Sequence, residues 1–224
     1  AVLLHNNHVH ALVVTDRDPA FTRAKRGQAR QYLAFDYSIL GEHRNSAKFA
    51  RAALEQYAQA APGEVPAVQW AESYTAVGAA EWHLGRIREA EAQYHKALDA
   101  LGKDTTEAAL MRKASTYGNL GVLWQNAGDL VKSRSNYQES LRAIYLNLAT
   151  VYFACGDEGQ AQKLLDLAWA DRSKVLQPDD PQLLSVRERM ADIQLAAGAL
   201  EKARVLEEAY LVACGKKFGI QSEE

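Results

Sequence analysis

The chain is poor in cysteine and proline, with two Cys and five Pro in 224 residues. Cys155 and Cys214 stand 59 positions apart, which excludes a dense disulfide framework and a zinc knuckle. Both read as reduced thiols of a cytoplasmic protein. Long apolar runs are also missing. No window approaches the roughly 18 apolar residues of a membrane helix, and Ala1-Val2-Leu3-Leu4 meets His5, Asn6 and Asn7 almost at once. Neither an anchor nor a signal peptide is expected. Charge of one sign is lacking too: 26 Lys and Arg face 28 Asp and Glu, a net charge of −2 that points to neither nucleic acid nor a membrane surface. What the chain does have is 39 Ala and 26 Leu, with 48% apolar and 24% charged residues. That balance predicts an all-α fold with a sizeable core. The first residue is Ala1 rather than methionine, which suggests a piece of a longer protein whose neighbours hold an output activity.

A repeat runs through the chain. Measured from Gly78, marks fall at Gly85, Ala90, Tyr94 and Ala97, offsets of +7, +12, +16 and +19. The same offsets from Gly121 reach Gly128, Ser133, Tyr137 and Ser140, and from Ala149 they reach Gly156, Ala161, Leu165 and Ala168. Weaker copies flank these, around Ala34, Gly41, Ser46, Ala50 and Ala53, and around Ala191, Gly198, Ala203, Glu207 and Tyr210. Each copy reads as two antiparallel helices. Tyr74 to Leu84 forms the first, Gly85 ends it, and Ile87, Ala90, Tyr94, Ala97 and Leu101 make the apolar face of the second. Small residues at Gly78 and Ala90 let the two backbones approach beside Tyr94, and neither helix buries its stripe without the next pair. Helix pairs are expected to begin near Gly27, Ala71, Ala114 and Leu184.

These residues resemble the tetratricopeptide repeat (TPR). The small residues at 34, 78, 121, 149 and 191 are spaced by 44, 43, 28 and 42, so the resemblance is to the long-repeat subclass seen in kinesin light chains and bacterial regulators. It implies a right-handed superhelix of stacked antiparallel helix pairs over residues 27–219. The copies fall near 27–70, 71–113, 114–141, 142–183 and 184–219, after a helical lead-in at 1–26 and before a tail at 220–224. Asp171 to Pro181 looks like an inter-repeat linker, and Gly215 to Gly219 like the start of another. One spacing departs from the family. Leu141 and Tyr145 are only four positions apart, where Leu98 and Tyr117 are 19 apart. Either about 14 residues are absent from the chain, the reading preferred from sequence, or a deletion fuses two helices into one.

Catalytic signatures are absent: no Gly-x-Ser-x-Gly elbow, no His-Glu-x-x-His, and no phosphate loop ending in Gly-Lys-Ser or Gly-Lys-Thr. No enzyme activity, metal or cofactor is expected. His5, His8 and His10 have metal-like spacing but no acidic or thiol ligand nearby before Asp16, and read as a polar face. Arg23, Lys25, Arg26 and Arg30 read as a solvated basic face, and Cys155 as a small buried residue. The tryptophans Trp70, Trp124 and Trp169 read as core, with Trp82 the exception that faces a groove.

The family resemblance implies a protein- or peptide-binding scaffold whose first helices line a concave groove. Carried over position by position, the groove set is Tyr32, Phe35, Thr75, Trp82, Asn119, Gln125, Asn126, Asn147, Thr150 and Arg189, with Gln31, Ala79, His83, Val122, Phe153, Glu188 and Asp192 beside them. Asn119 and Asn147 would hold a peptide's N–H and C=O groups. A basic clamp for a C-terminal carboxylate is not expected, because Arg189 stands nearly alone. The alternatives are a sensory or regulatory domain of a larger signalling protein (a transcription regulator, kinase or peptide receptor), and self-assembly through terminal repeats by Leu206, Tyr210 and Leu211.

Overall fold

A computed structural model describes residues 8, 9, 16, 21–170, 173 and 176–218, without the side chains of 181, 182 and 214–218. The described residues contain helices and turns and no strand. The helices are α1 (Arg23–Ile39), α2 (His43–Ala58), α3 (Ala67–His83), α4 (Ile87–Leu101), α5 (Glu107–Asn126), α6 (Leu130–Ala154), α7 (Glu158–Ala170), α8 (Pro181–Ala196) and α9 (Leu200–Phe218). The chain divides into two compact units, Ala1–Ser140 and Leu141–Glu224.

In unit 1 the helices pack as hairpins, α1 with α2 and α3 with α4, and the first helices also meet one another, α1 on α3 and α3 on α5. The repeat chemistry explains this. Gly85 closes the α3–α4 turn at φ 77°, a left-handed conformation open to glycine at little cost. Inside α3, a Cβ on Gly78 would lie 2.8 Å from the Tyr94 ring and 3.2 Å from the Ala90 carbonyl oxygen, so only glycine permits this approach. Where a serine replaces alanine at the +12 position, its buried hydroxyl donates to the carbonyl of the small residue across the hairpin. Ser46 bonds Ala34 at 2.8 Å, and Ser133 bonds Gly121 at 2.9 Å. Thr22 and Thr106 cap α1 and α5 by accepting from the amides of Lys25 and Ala109.

The core is a series of clusters bridging successive hairpins. Ala34, Ala50 and Val77 form one, and Ala90, Tyr94, Leu120 and Leu123 another, with Trp82, Leu98 and Tyr117 packed against it. In unit 2, α7 packs on α8 and α8 on α9, with Ala161, Leu165, Ala168, Val186 and Ala203 buried.

Four expectations need correction. The pairs open at Arg23, Ala67, Glu107 and Pro181, ahead of the expected starts, because the helical stripe extends one or two turns N-terminal of the repeat marks. The linker expected to start at Gly215 does not: α9 continues through Gly215 to Phe218, and Gly219 lies outside the described residues. The reading that residues are missing near Leu141 gives way to the fused alternative. Helix α6 is unbroken from Leu130 to Ala154, since Arg142, Ala143, Ile144 and Tyr145 contain no glycine or proline to stop it. Cys155 is exposed rather than buried, because it follows the last residue of α6 at the Gly156 turn.

Candidate functional site

In unit 1 the adjoining helices α1, α3 and α5 carry a chain of polar side chains. Gln31 on α1 donates to Glu72 on α3, and Arg112 on α5 donates to the other oxygen of the same carboxylate. The Gln31 oxygen in turn accepts from the Tyr57 hydroxyl at 2.7 Å and the Ser73 hydroxyl at 3.3 Å. Burial raises the Tyr57 phenol above its ordinary pKa, so it stays a donor. One turn along α1 from Gln31, the Phe35 side chain is 59% exposed, and Ile39 one turn further is also exposed.

Other groove candidates in unit 1 have distinct surroundings. Tyr32 is exposed, and the His8 ring stacks on it with centroids 5.1 Å apart. Asn119 is half-buried, while Gln125 and Asn126 are exposed near the end of α5. Gln125 accepts from the Tyr137 hydroxyl at 3.0 Å. Thr75 corrects the expectation: it is buried, with its hydroxyl 3.3 Å from that of Thr116, and so ties α3 to α5 rather than facing a ligand. Trp82 is half-buried against the Ala90–Tyr94–Leu120–Leu123 cluster, with one side tilted on His83 at 4.6 Å. His83 also stacks on His43 at 4.0 Å, and burial, helped by the neighbouring imidazole, holds the His83 pKa below its ordinary value.

In unit 2, Asn147, Thr150 and Arg189 are half-buried. Arg189 donates to the Thr150 hydroxyl, which itself donates to the Leu146 carbonyl at 3.0 Å. Burial lowers the Arg189 pKa, against the opposing pull of Asp192 and Glu188. The Asn147 side-chain oxygen is buried and accepts no hydrogen bond. Asn119 and Asn147 belong to different units.

Several features escaped sequence reasoning. His8 finds an acidic partner 28 positions away, with Nδ1 2.7 Å from the buried Asp36 carboxylate. His5 and His10 lie outside the described residues, and among those described no three potential ligands gather around a metal position. The basic cluster is engaged within the chain: Arg30 pairs with Asp16 at 2.8 Å, Arg23 reaches Gln56 at 3.1 Å, and Lys25 sits over Phe21. An open cleft of about 620 Å³ is lined by Trp70, Tyr74, Lys96 and Asp99; the Trp70 and Tyr74 pair, one turn apart, was its only sequence signal. No helix among the described residues is long and apolar enough to cross a membrane.

In unit 1, antiparallel helix pairs turn on left-handed glycines, and Gly27, Gly78 and Gly121 pack against the rings of Tyr57, Tyr94 and Tyr137, the arrangement of repeated helical hairpins. Residues 70–101 and 141–182 match the family model described as tetratricopeptide repeat, one segment in each unit. Among solved structures the chain is similar to BtubC (BKLC) from P. vanneervenii, at 18% identity and a TM-score of 0.49, over 99% of this chain and 93% of that one. It is also similar to a structure described as kinesin light chain TPR-like repeats from Podosopora anserina, at 18% identity and a TM-score of 0.42, over 86% of this chain and 96% of that one. No curated protein sequence matches it.

Proposed function

We propose that unit 1 is a recognition scaffold that binds an extended peptide segment of a partner protein along the first helices of its pairs, α1, α3 and α5. The observation that carries this reading is the exposed Phe35–Ile39 edge of α1, on a helix whose remaining faces are packed. Large apolar side chains left open beside a built polar floor are the usual mark of an interaction surface. The Gln31–Glu72–Arg112 chain holds the three helices in register, so the floor is set before a ligand arrives. Phe35 and Tyr32 offer aromatic contacts, and the Asn119, Gln125 and Asn126 amides offer both donors and acceptors for a peptide backbone. Affinity with limited side-chain preference follows. Asn147, Thr150 and Arg189 belong to the corresponding reading of unit 2, and no catalytic step is assigned to either unit.

The test is selection of a displayed library of unstructured peptides on the immobilised chain, followed by titration of the enriched peptides. Replacing Phe35 and Asn119 together by alanine should weaken binding at least tenfold, about 1.4 kcal/mol, with the helix content retained. Enriched peptides that bind the double variant as tightly as the parent would refute the assignment.

A further inference from the structure

We propose that the open cleft at the end of the α3–α4 hairpin opposite the Gly85 turn binds a cation, the guanidinium of an arginine side chain presented by a partner protein. The cleft measures about 620 Å³, a size that suits one side chain or a small ligand. Val65, Ala67, Trp70 and Tyr74 line it on one side, and Lys96, Asp99 and Ala100 of α4 on the other. Phe35 and Asn119 do not line it, so the peptide face read above stands or falls apart from this site.

One wall is aromatic and held in place. Trp70 and Tyr74 are neighbours one turn apart on α3, and their half-buried rings stack with centroids 6.2 Å apart. The buried Tyr57 ring of α2 tilts against Trp70 at 5.5 Å, which fixes the indole before any ligand arrives. The face of Tyr74 is turned toward α4, because the Lys96 ammonium lies over that ring, 6.0 Å from its centroid. A cation of the chain itself is thus already drawn to this wall.

The other wall carries a charge that folding does not explain. Asp99 stands in the last turn of α4, where the helix's own carbonyls make the end negative, and that turn has no basic residue to offset it. A carboxylate there works against the helix. It is exposed, and among the described residues it has no ion-pair partner, with Lys96 one turn away on the Tyr74 ring instead. Two aromatic rings, a free carboxylate and a helix C-terminus together favour positive charge. Among cationic groups the guanidinium matches both walls, since its flat face stacks on an aromatic ring while its edge donates two N–H bonds to a carboxylate. An ammonium lacks both the flat face and the paired donors. When the arginine enters, the exposed Lys96 side chain turns to solvent and gives up its place over Tyr74.

The test is a titration of the isotope-labelled full chain at low salt with capped Gly-Arg-Gly, Gly-Lys-Gly and Gly-Glu-Gly peptides, followed at the Trp70 indole N–H resonance, which Trp70→Phe assigns. The arginine peptide should shift that resonance saturably, the lysine peptide should bind more weakly, and the glutamate peptide should leave it in place. Asp99→Asn should weaken the arginine peptide about fivefold, the upper range for an exposed ion pair. Lys96→Ala should bind it no more weakly than the parent, because the competing ammonium is gone. Both substitutions fall on exposed side chains, so the fold is retained. An arginine peptide that leaves the indole unshifted, a shift produced as readily by the lysine or glutamate peptide, an Asp99→Asn variant that binds like the parent, or a Lys96→Ala variant that binds more weakly would each overturn the proposal.

Discussion

Replacing Arg51 and Arg86 together by alanine is expected to destabilise unit 1 by about 3–5 kcal/mol at neutral pH, the usual cost of leaving a buried charge without its partners. The reason is Glu81, a fully buried carboxylate on α3. One of its oxygens accepts from Arg51 on α2, and the other accepts from Arg86 in the α3–α4 turn at 2.9 Å. Burial disfavours its charge, and the hydrogen bonds from Arg86 and Arg51 outweigh that penalty, so its pKa lies below the ordinary carboxylate range. A depressed carboxylate pKa stabilises the fold above its unfolded value, about 4.3, and the contribution fades as the pH falls through the folded pKa. In the double variant the order reverses: unpaired, the carboxylate prefers its proton, and the deficit shrinks on acidification. Removing Glu81 instead should cost less, because both arginines are more than half exposed and turn to water. Urea midpoints of the parent and the two variants at pH 7 and near pH 4 check the size, the asymmetry and the convergence in acid. A double variant with the parent's midpoint at pH 7 would contradict the account of Glu81.

A comparable loss should follow Tyr94→Ala, while the same change at Tyr137 costs roughly a third as much. Truncating a large buried ring costs about 3–5 kcal/mol when the surroundings cannot collapse into the space. Tyr94 is enclosed by Ala90, Leu120 and Leu123, and its burial keeps the phenol above its ordinary pKa. Tyr137 loses a contact with Gly121 and a hydrogen bond to Gln125, but one side of its ring already faces solvent. Denaturant unfolding of both variants supplies the ratio. Equal losses would contradict the difference in burial between the two rings.

The repeat was legible because its marks are local. Glycine at +7, a small residue at +12 and an aromatic at +16 act within one hairpin, and Gly78, Ala90 and Tyr94 meet as their spacing implies. What the sequence hid were partners set by stacking. His8 with Asp36, Arg51 with Glu81, and Gln31 with Glu72 and Arg112 join residues 28 to 41 positions apart, and no local pattern names them. Thr75 shows the same limit from the other side: its repeat position pointed toward the groove, but α3 and α5 pack closely enough to bury it. At α6 the short spacing was visible, but whether the chain lacked residues or ran on as one helix depended on the helix propensity of the few residues between Leu141 and Tyr145.

Amide hydrogen exchange, with and without a peptide enriched on the immobilised chain, most directly tests the claim that the first helices of unit 1 form the recognition face. Bound peptide should slow exchange along α1, α3 and α5, most strongly around Phe35 and Asn119, and leave α2 and α4 unchanged. Protection confined to α2 and α4 would place recognition on the opposite helices and contradict the claim.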